Sequence, residues 1–110
     1  MLTQRQLFLQ RLAPTSDGPL LLEIERGEGV YLYDKDGKSY LDLIAGIGVS
    51  SLGHCHPKVT EAVKLQTDRY LHTMVYGEYV LSPQVQLADL MVQHLPEKLN
   101  SVYFVNSGSE

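Results

Sequence analysis

Near its carboxyl end the chain carries Ser101-Val102-Tyr103-Phe104-Val105, a short, almost wholly apolar run that breaks at once into Asn106-Ser107-Gly108-Ser109-Glu110. A strand that is apolar on both faces needs cover on both faces, as in parallel sheets flanked by helices. The run therefore points to an α/β fold, with an α+β character in what precedes it. No cap or polar tail follows Glu110, so the chain reads as a truncated domain. The break after the strand matters as well. A turn of small residues there, entering a helix, can aim several backbone N–H groups and hydroxyls at one anion, usually a phosphate. Ser107, Gly108 and Ser109 fit that pattern, and an ordinary polar turn fits them too.

Upstream, Leu20 to Arg26 and Val30 to Asp34 read as strands separated by a turn at Gly27 and Gly29. Asp36-Gly37 suits a two-residue hairpin turn in which both residues take positive φ, and Ser39 to Leu43 supplies the returning strand. Ile44 to Gly53, with glycine at 46, 48 and 53, suits a loop or a broken helical turn. His56-Pro57 opens a helix reaching to about Leu71, with Val59, Ala62, Val63 and Tyr70 along one face. A second helix starts at Ser82-Pro83, with serine as N-cap, turns Leu87, Ala88, Met91 and Leu95 inward, and stops before Pro96. Leu2, Leu7, Phe8 and Leu12 recur near helical spacing in a segment that has Arg5 and Arg11 but no acid before residue 17. That composition is faintly presequence-like, yet a short amphipathic helix resting on the protein or a partner explains it better. The expected organisation is a helical arm at 1–18, a β-meander at 19–43, a loop and two helices at 44–99, and a strand with its anion loop at 100–110.

Several function classes fall away. Nine basic residues face thirteen acidic ones, a formal charge of −4 with no basic run, which excludes a nucleic-acid footprint. No apolar run approaches the roughly 20 residues that span a bilayer. A single cysteine, Cys55, rules out an intrachain disulfide and fits a reducing compartment, with cytoplasm the default. Gly46-Ile47-Gly48-Val49-Ser50-Ser51 nearly spells a dinucleotide fingerprint, but its sixth place is serine and the strand before it belongs to a hairpin. Asp34, Asp36 and Gly37 suggest a calcium loop, yet glycine falls at position 4 and Ala45 stands where the last ligand should be. His54-Cys55-His56 are sequence neighbours that cannot converge on one zinc, so one imidazole is expected to bond local backbone instead. Tyr70, His72, Tyr76 and Tyr79 gather in and beside the inter-helix loop, where packing is the plain explanation for each.

Taken in order, Gly29-Val30-Tyr31-Leu32-Tyr33-Asp34, Asp36-Gly37, Tyr40-Leu41-Asp42-Leu43, Ala45-Gly46-Ile47-Gly48-Val49, Gly53-His54, His56-Pro57 and Asn106-Ser107-Gly108-Ser109-Glu110 resemble the class III aminotransferases. The resemblance covers nearly all of the chain from residue 19. It implies the amino-terminal part of the aspartate-aminotransferase-like fold, fold type I, with pyridoxal 5'-phosphate as cofactor and a homodimer as the full-length form. It implies that Ser107, Gly108 and Ser109 face the cofactor phosphate, with serine at 109 where many members have threonine. It places an aromatic of the inter-helix loop beside the substrate, with Tyr79 the first choice and Tyr76 the second. It also makes the stretch from Ile47 to Ser51, Ile47 and Val49 in particular, part of the substrate entrance. The implied reaction moves an amino group, often a terminal one, from a small-molecule donor to a keto acid. A related isomerase, aminomutase or decarboxylase, or a short noncatalytic assembly protein, are the alternatives. The family's catalytic lysine and the acid at the pyridine nitrogen come later in the chain, and Lys35, Lys38, Lys58, Lys64 and Lys98 match neither context. No catalytic residue is therefore expected within these residues, and the chain by itself is expected to be inactive.

Overall fold

The computed structural model describes residues 1–74 and 77–110, in two units, Met1–Arg69 and Tyr70–Glu110. The first unit holds α1 (Gln4–Arg11), β1 (Ile24–Glu28), β2 (Tyr31–Asp34), β3 (Ser39–Leu41), α2 (Ala45–Gly48) and α3 (Pro57–Thr67). A capping box starts α1: Thr3 Oγ1 accepts from the Gln6 amide at 3.2 Å, and Gln6 Oε1 accepts from the Thr3 amide at 2.8 Å. Leu7, Phe8 and Leu12 of this helical arm line an open groove together with Pro19, Leu20 and Leu22. Glu23 tethers the arm to the meander, receiving Arg5 Nε at 2.8 Å and Lys35 Nζ at 2.9 Å. At this exposure each pair contributes about 0–1 kcal/mol.

The three strands form one antiparallel sheet in the order β1-β2-β3, the expected meander. Its first strand is shifted along the chain. Leu20 to Glu23 lie outside it, a bulge interrupts the register between Ile24 and Arg26, and Gly27 sits inside the strand, paired with Leu32. The turn falls to Gly29, at φ 57°. Gly27 is needed for space, because a Cβ there would lie 2.8 Å from Cβ and Cγ of His54. Arg26 is paired with Tyr33 across the strands and stacks 3.5 Å from its ring centroid.

The hairpin between β2 and β3 also departs from expectation. Only Gly37 takes positive φ, at 81°. The Gly37 amide donates to the Asp34 carbonyl at 3.0 Å and the Asp34 amide to the Lys38 carbonyl at 3.1 Å, which describes a three-residue loop with a glycine bulge rather than the two-residue turn. Asp34 is the reason. Its Oδ1 accepts from the amides of Asp36 and Lys38 at 3.0 and 2.9 Å, and its Oδ2 from the Tyr40 hydroxyl at 2.7 Å, so the side chain organises the wider loop. The Tyr40 hydrogen bond, with those amides, holds the Asp34 carboxyl below its usual range and in return raises the Tyr40 phenol.

α3 follows His56-Pro57 as the sequence indicates, but ends at Thr67 rather than near Leu71. The second unit contains α4 (Ser82–Gln93). Leu81, not Ser82, takes the N-cap position, without a side-chain capping bond. Its least exposed positions include Gln84 and Ala88, which with Val85 border a depression lined also by Val102, Tyr103 and Phe104. Of the face expected to be inward, Ala88 is half-buried while Leu87, Met91 and Leu95 remain exposed, as do Val59 and Val63 of α3. Residues 101–105 join no strand pair among the described residues, and Tyr103 is 87% exposed. An extended run cannot be a ladder strand without a neighbour to exchange hydrogen bonds, and none is present here.

One physical fact underlies the uncovered helix faces and the unpaired run at 101–105. Among the described residues no side chain is fully buried. The accessible surface is 10156 Å² for 12.3 kDa, against about 6,100 Å² for a folded monomer of that mass. The apolar stripes written into the sequence are present but uncovered. Among the described residues no helix is long and apolar enough to cross a membrane.

Candidate functional site

The most organised polar node of the first unit joins the meander to the residues that follow it. The Asp42 amide donates to the Val30 carbonyl at 2.9 Å, and its carboxylate then works in two directions. Oδ1 accepts from the amides of Ile44 and Ala45 at 3.0 and 3.1 Å, and Oδ2 lies 2.7 Å from Nε2 of His54. His54 is fixed by its own backbone, giving 2.7 Å to the Gly29 carbonyl and receiving the Gly29 amide at 3.1 Å. Gly53, at φ 87°, lets that bridge close, since a Cβ there would meet the Gly29 carbonyl at 3.0 Å. The His54 imidazole thus meets a carboxylate from twelve residues earlier rather than local backbone. A single-sequence reading had no signal for that pairing beyond the two residue types. His56 and Cys55 do not join it, and Cys55 is exposed. Among the described residues no group of three or more His, Cys, Asp or Glu side chains is placed to hold a metal ion.

His54, followed by the amides of Ala45 and Ile44, holds the Asp42 carboxyl below its usual value of 3.8. A depressed folded-state value means that the node's stabilising contribution is fully present above the unfolded carboxyl value. It is lost as pH falls through the lower folded one. The Ile44 and Ala45 amide shifts are expected to titrate together with a midpoint below 3.8 in an NMR pH series. A midpoint above that value would remove these bonds from solution.

Between Asp42 and His54 the chain makes an unusual turn. Ala45, Gly46, Ile47 and Gly48 all have positive φ, at 50°, 62°, 62° and 75°. The amides of Gly48 and Val49 donate back to the carbonyls of Ile44 and Ala45 at 3.0 and 2.9 Å, so α2 is a single turn of left-handed sense. A non-glycine residue pays about 1–2 kcal/mol in that region, and β-branched Ile47 is the costliest kind. Its side chain is 89% exposed and that of Val49 78%. The two substrate-entrance candidates therefore stand out in and directly after one strained turn, Ile47 within it and Val49 just past its end, held by the Asp42 node.

The anion-loop candidates lie in the second unit. The amides of Asn106 and Ser107 both donate to one oxygen, Oε2 of Glu110, at 2.8 and 2.9 Å, and the Glu110 amide donates to the Ser107 carbonyl at 3.2 Å. Two N–H groups converging on one carboxylate oxygen form an anion-receptive turn, and the donor chemistry fits a phosphate oxygen equally well. Gly108 lies outside the left-handed region and a Cβ there would meet nothing within 4 Å. The glycine is thus not required by the turn's backbone. What it leaves is open space beside the donors. Tyr79 lies in the segment before α4 and is 62% exposed. Tyr76 lies outside the described residues. The structure groups Ser107, Gly108 and Ser109 in one turn and Ile47 with Val49 in another.

Known proteins resemble this chain in sequence and in fold. The sequence model of the family described as aminotransferase class-III matches residues 12–110. The acetylornithine aminotransferase of Methanopyrus kandleri is 48% identical over 86 residues, 76% of this chain and 21% of that protein. The crystal structure of adenosylmethionine-8-amino-7-oxononanoate aminotransferase from Methanocaldococcus jannaschii superposes with a TM-score of 0.79 at 30% identity, over 88% of this chain and 23% of that one. An omega-aminotransferase from Paracoccus denitrificans gives a TM-score of 0.84 at 26% identity, over 98% and 25%. The chain spans about a fifth to a quarter of the length of these relatives. Its helices and antiparallel meander are the α/β amino-terminal portion of the fold type I transaminase architecture, and the chain belongs to the class III aminotransferase family.

Proposed function

We propose that this chain is the amino-terminal part of a pyridoxal-phosphate-dependent transaminase, acting in the cytoplasm as a homodimer. It would move an amino group, often a terminal one, from a small-molecule donor to a keto acid. The observation that carries the reading is the convergence of the Asn106 and Ser107 amides on one anionic oxygen beside the open space at Gly108. Bound pyridoxal phosphate supplies an electron sink that lets an amino group leave one carbon skeleton for another.

In this proposal Ser107, Gly108 and Ser109 hold the cofactor phosphate through amides and hydroxyls, with glycine keeping the approach open. Tyr79, or Tyr76 in its place, offers a hydroxyl to the amino donor, and Ile47 and Val49 give the substrate entrance an apolar border. The lysine bonded to the cofactor and the acid at its pyridine nitrogen lie outside these residues. The acetylornithine relatives favour a donor whose reacting amine is distant from its α-carboxylate.

The full-length gene product, purified with pyridoxal phosphate, is expected to convert N-acetylornithine and 2-oxoglutarate into glutamate and the corresponding aldehyde. Turnover with ornithine or 4-aminobutyrate alone would keep the reaction class and move the substrate. A protein that isomerises or decarboxylates these donors without amino transfer would replace the proposal with one of the other pyridoxal phosphate reactions.

A further inference from the structure

We infer that Asp42 and His54 form a clasp that positions the left-handed turn Ala45–Gly48, and with it the side chains of Ile47 and Val49, for the amino donor. The inference rests on the proposed reading of that turn as part of the substrate entrance. Both members of the clasp are positioning residues, acting through the turn.

Within these residues the turn does not owe its shape to packing of Ile47 or Val49, which are almost fully exposed. Its own backbone bonds, from the amides of Gly48, Val49 and Ser50 to the carbonyls of Ile44 and Ala45, would equally serve a relaxed right-handed turn. What specifies the entry is Asp42. Oδ1 takes the amides of Ile44 and Ala45, the last residue before the hand changes and the first after it. Oδ2 takes the ring of His54 at the far end of the loop. An ionised carboxylate only accepts, so Nε2 of His54 carries the hydrogen in this bond. The backbone of His54 is bonded in both directions to Gly29, and that of Asp42 to Val30. Both ends of the loop are therefore anchored to adjacent residues of the meander, and the carboxylate passes that anchoring to the strained residues. Gly27 and Gly53 are the two positions where a side chain would collide with this assembly, with His54 and with Gly29 respectively.

The test uses the full-length holoenzyme. His54→Leu fills the space without a donor, whereas His54→Gln sets an amide nitrogen near the place of Nε2. His54→Leu is expected to raise KM for the amino donor about tenfold, with kcat nearly unchanged and cofactor affinity intact. His54→Gln should recover most of that loss. An unchanged KM in a folded, cofactor-loaded His54→Leu protein overturns the clasp, and so does a His54→Gln protein as impaired as His54→Leu. Asp42→Ala removes the acceptor for the two amides and the one facing the ring together, so it decides the matter if His54→Leu does not fold. The same rise in KM supports the clasp, and a native KM sinks it. Ile47→Ala separates the two layers of the reading. If Ile47→Ala leaves KM unchanged, the turn is not at the entrance and the clasp's kinetic role goes with it. If Ile47→Ala raises KM while the Asp42 and His54 variants do not, the entrance stands and the clasp alone falls.

Discussion

Replacing Gly108 by valine in the full-length protein is expected to weaken pyridoxal phosphate binding by about a hundredfold, corresponding to roughly 3 kcal/mol of lost charge-assisted hydrogen bonding. Gly108 is outside the left-handed region, and a Cβ there meets nothing within 4 Å, so valine does not break the turn by backbone strain or by collision. Its branched side chain instead fills the open space beside the anion-receptive amides. The loss should therefore appear in cofactor affinity and leave the fold intact, a combination measured by titrating the apoprotein with pyridoxal phosphate and recording its circular dichroism. Ser109→Thr, which keeps the hydroxyl, should be nearly silent in the same titration. Near-native affinity in Gly108→Val would move the phosphate away from Ser107, Gly108 and Ser109.

A complete loss is expected for the 110-residue chain on its own: no amino transfer, and no single lysine that captures pyridoxal phosphate. Transamination needs a lysine opposite the phosphate turn, and the chain offers only turn and helix lysines. Lys35 is the least available of them, because Glu23 at 2.9 Å hydrogen-bonds its ammonium and raises its pKa. Lys38 has a ring neighbour, Tyr40, 5.0 Å from its Nζ. Mixing the chain with pyridoxal phosphate, reducing with borohydride and mapping the peptides should give scattered, substoichiometric labelling, with Lys35 under-represented. One dominant stoichiometric adduct accompanied by amino transfer would overturn this expectation.

Local features were legible in the sequence where local physics decides them. The meander, the proline-opened helix at 57 and the small-residue turn at 107–109 all follow from glycine, proline and alternation over a few residues. Misreadings occurred where a distant or competing partner decides. Gly27 reads as a turn residue until His54 is seen packed against it. Asp36-Gly37 reads as a two-residue turn until the Asp34 carboxylate takes the amides of Asp36 and Lys38. The Asp42–His54 pair spans twelve residues with nothing between them to announce it. The apolar faces of α3 and α4 and the run at 101–105 were recognisable as surfaces in need of cover, but a pattern of side chains does not say what covers it. Of the candidate site, residue types and turn geometry could be read, whereas the left-handed hand of residues 45–48 could not, since Ala45 and Ile47 argue against it.

That left-handed turn has a consequence for anyone mapping this protein by mutation. At Ile47 a glycine would relieve about 1–2 kcal/mol of backbone strain and return about 0.5–1 kcal/mol of it to the unfolded chain as freedom. The difference, about 0.5–1 kcal/mol, favours glycine, and within these residues the exposed side chain leaves no cavity behind. A library sorted by thermal survival or expression level will accordingly favour glycine at position 47, and stabilisation by such sorting will tend to erase the isoleucine. The same library sorted by growth on a required amino-transfer product should rank it among the sensitive positions. Disagreement between those two rankings, rather than either one alone, is the signature by which this turn can be recognised in sequence data.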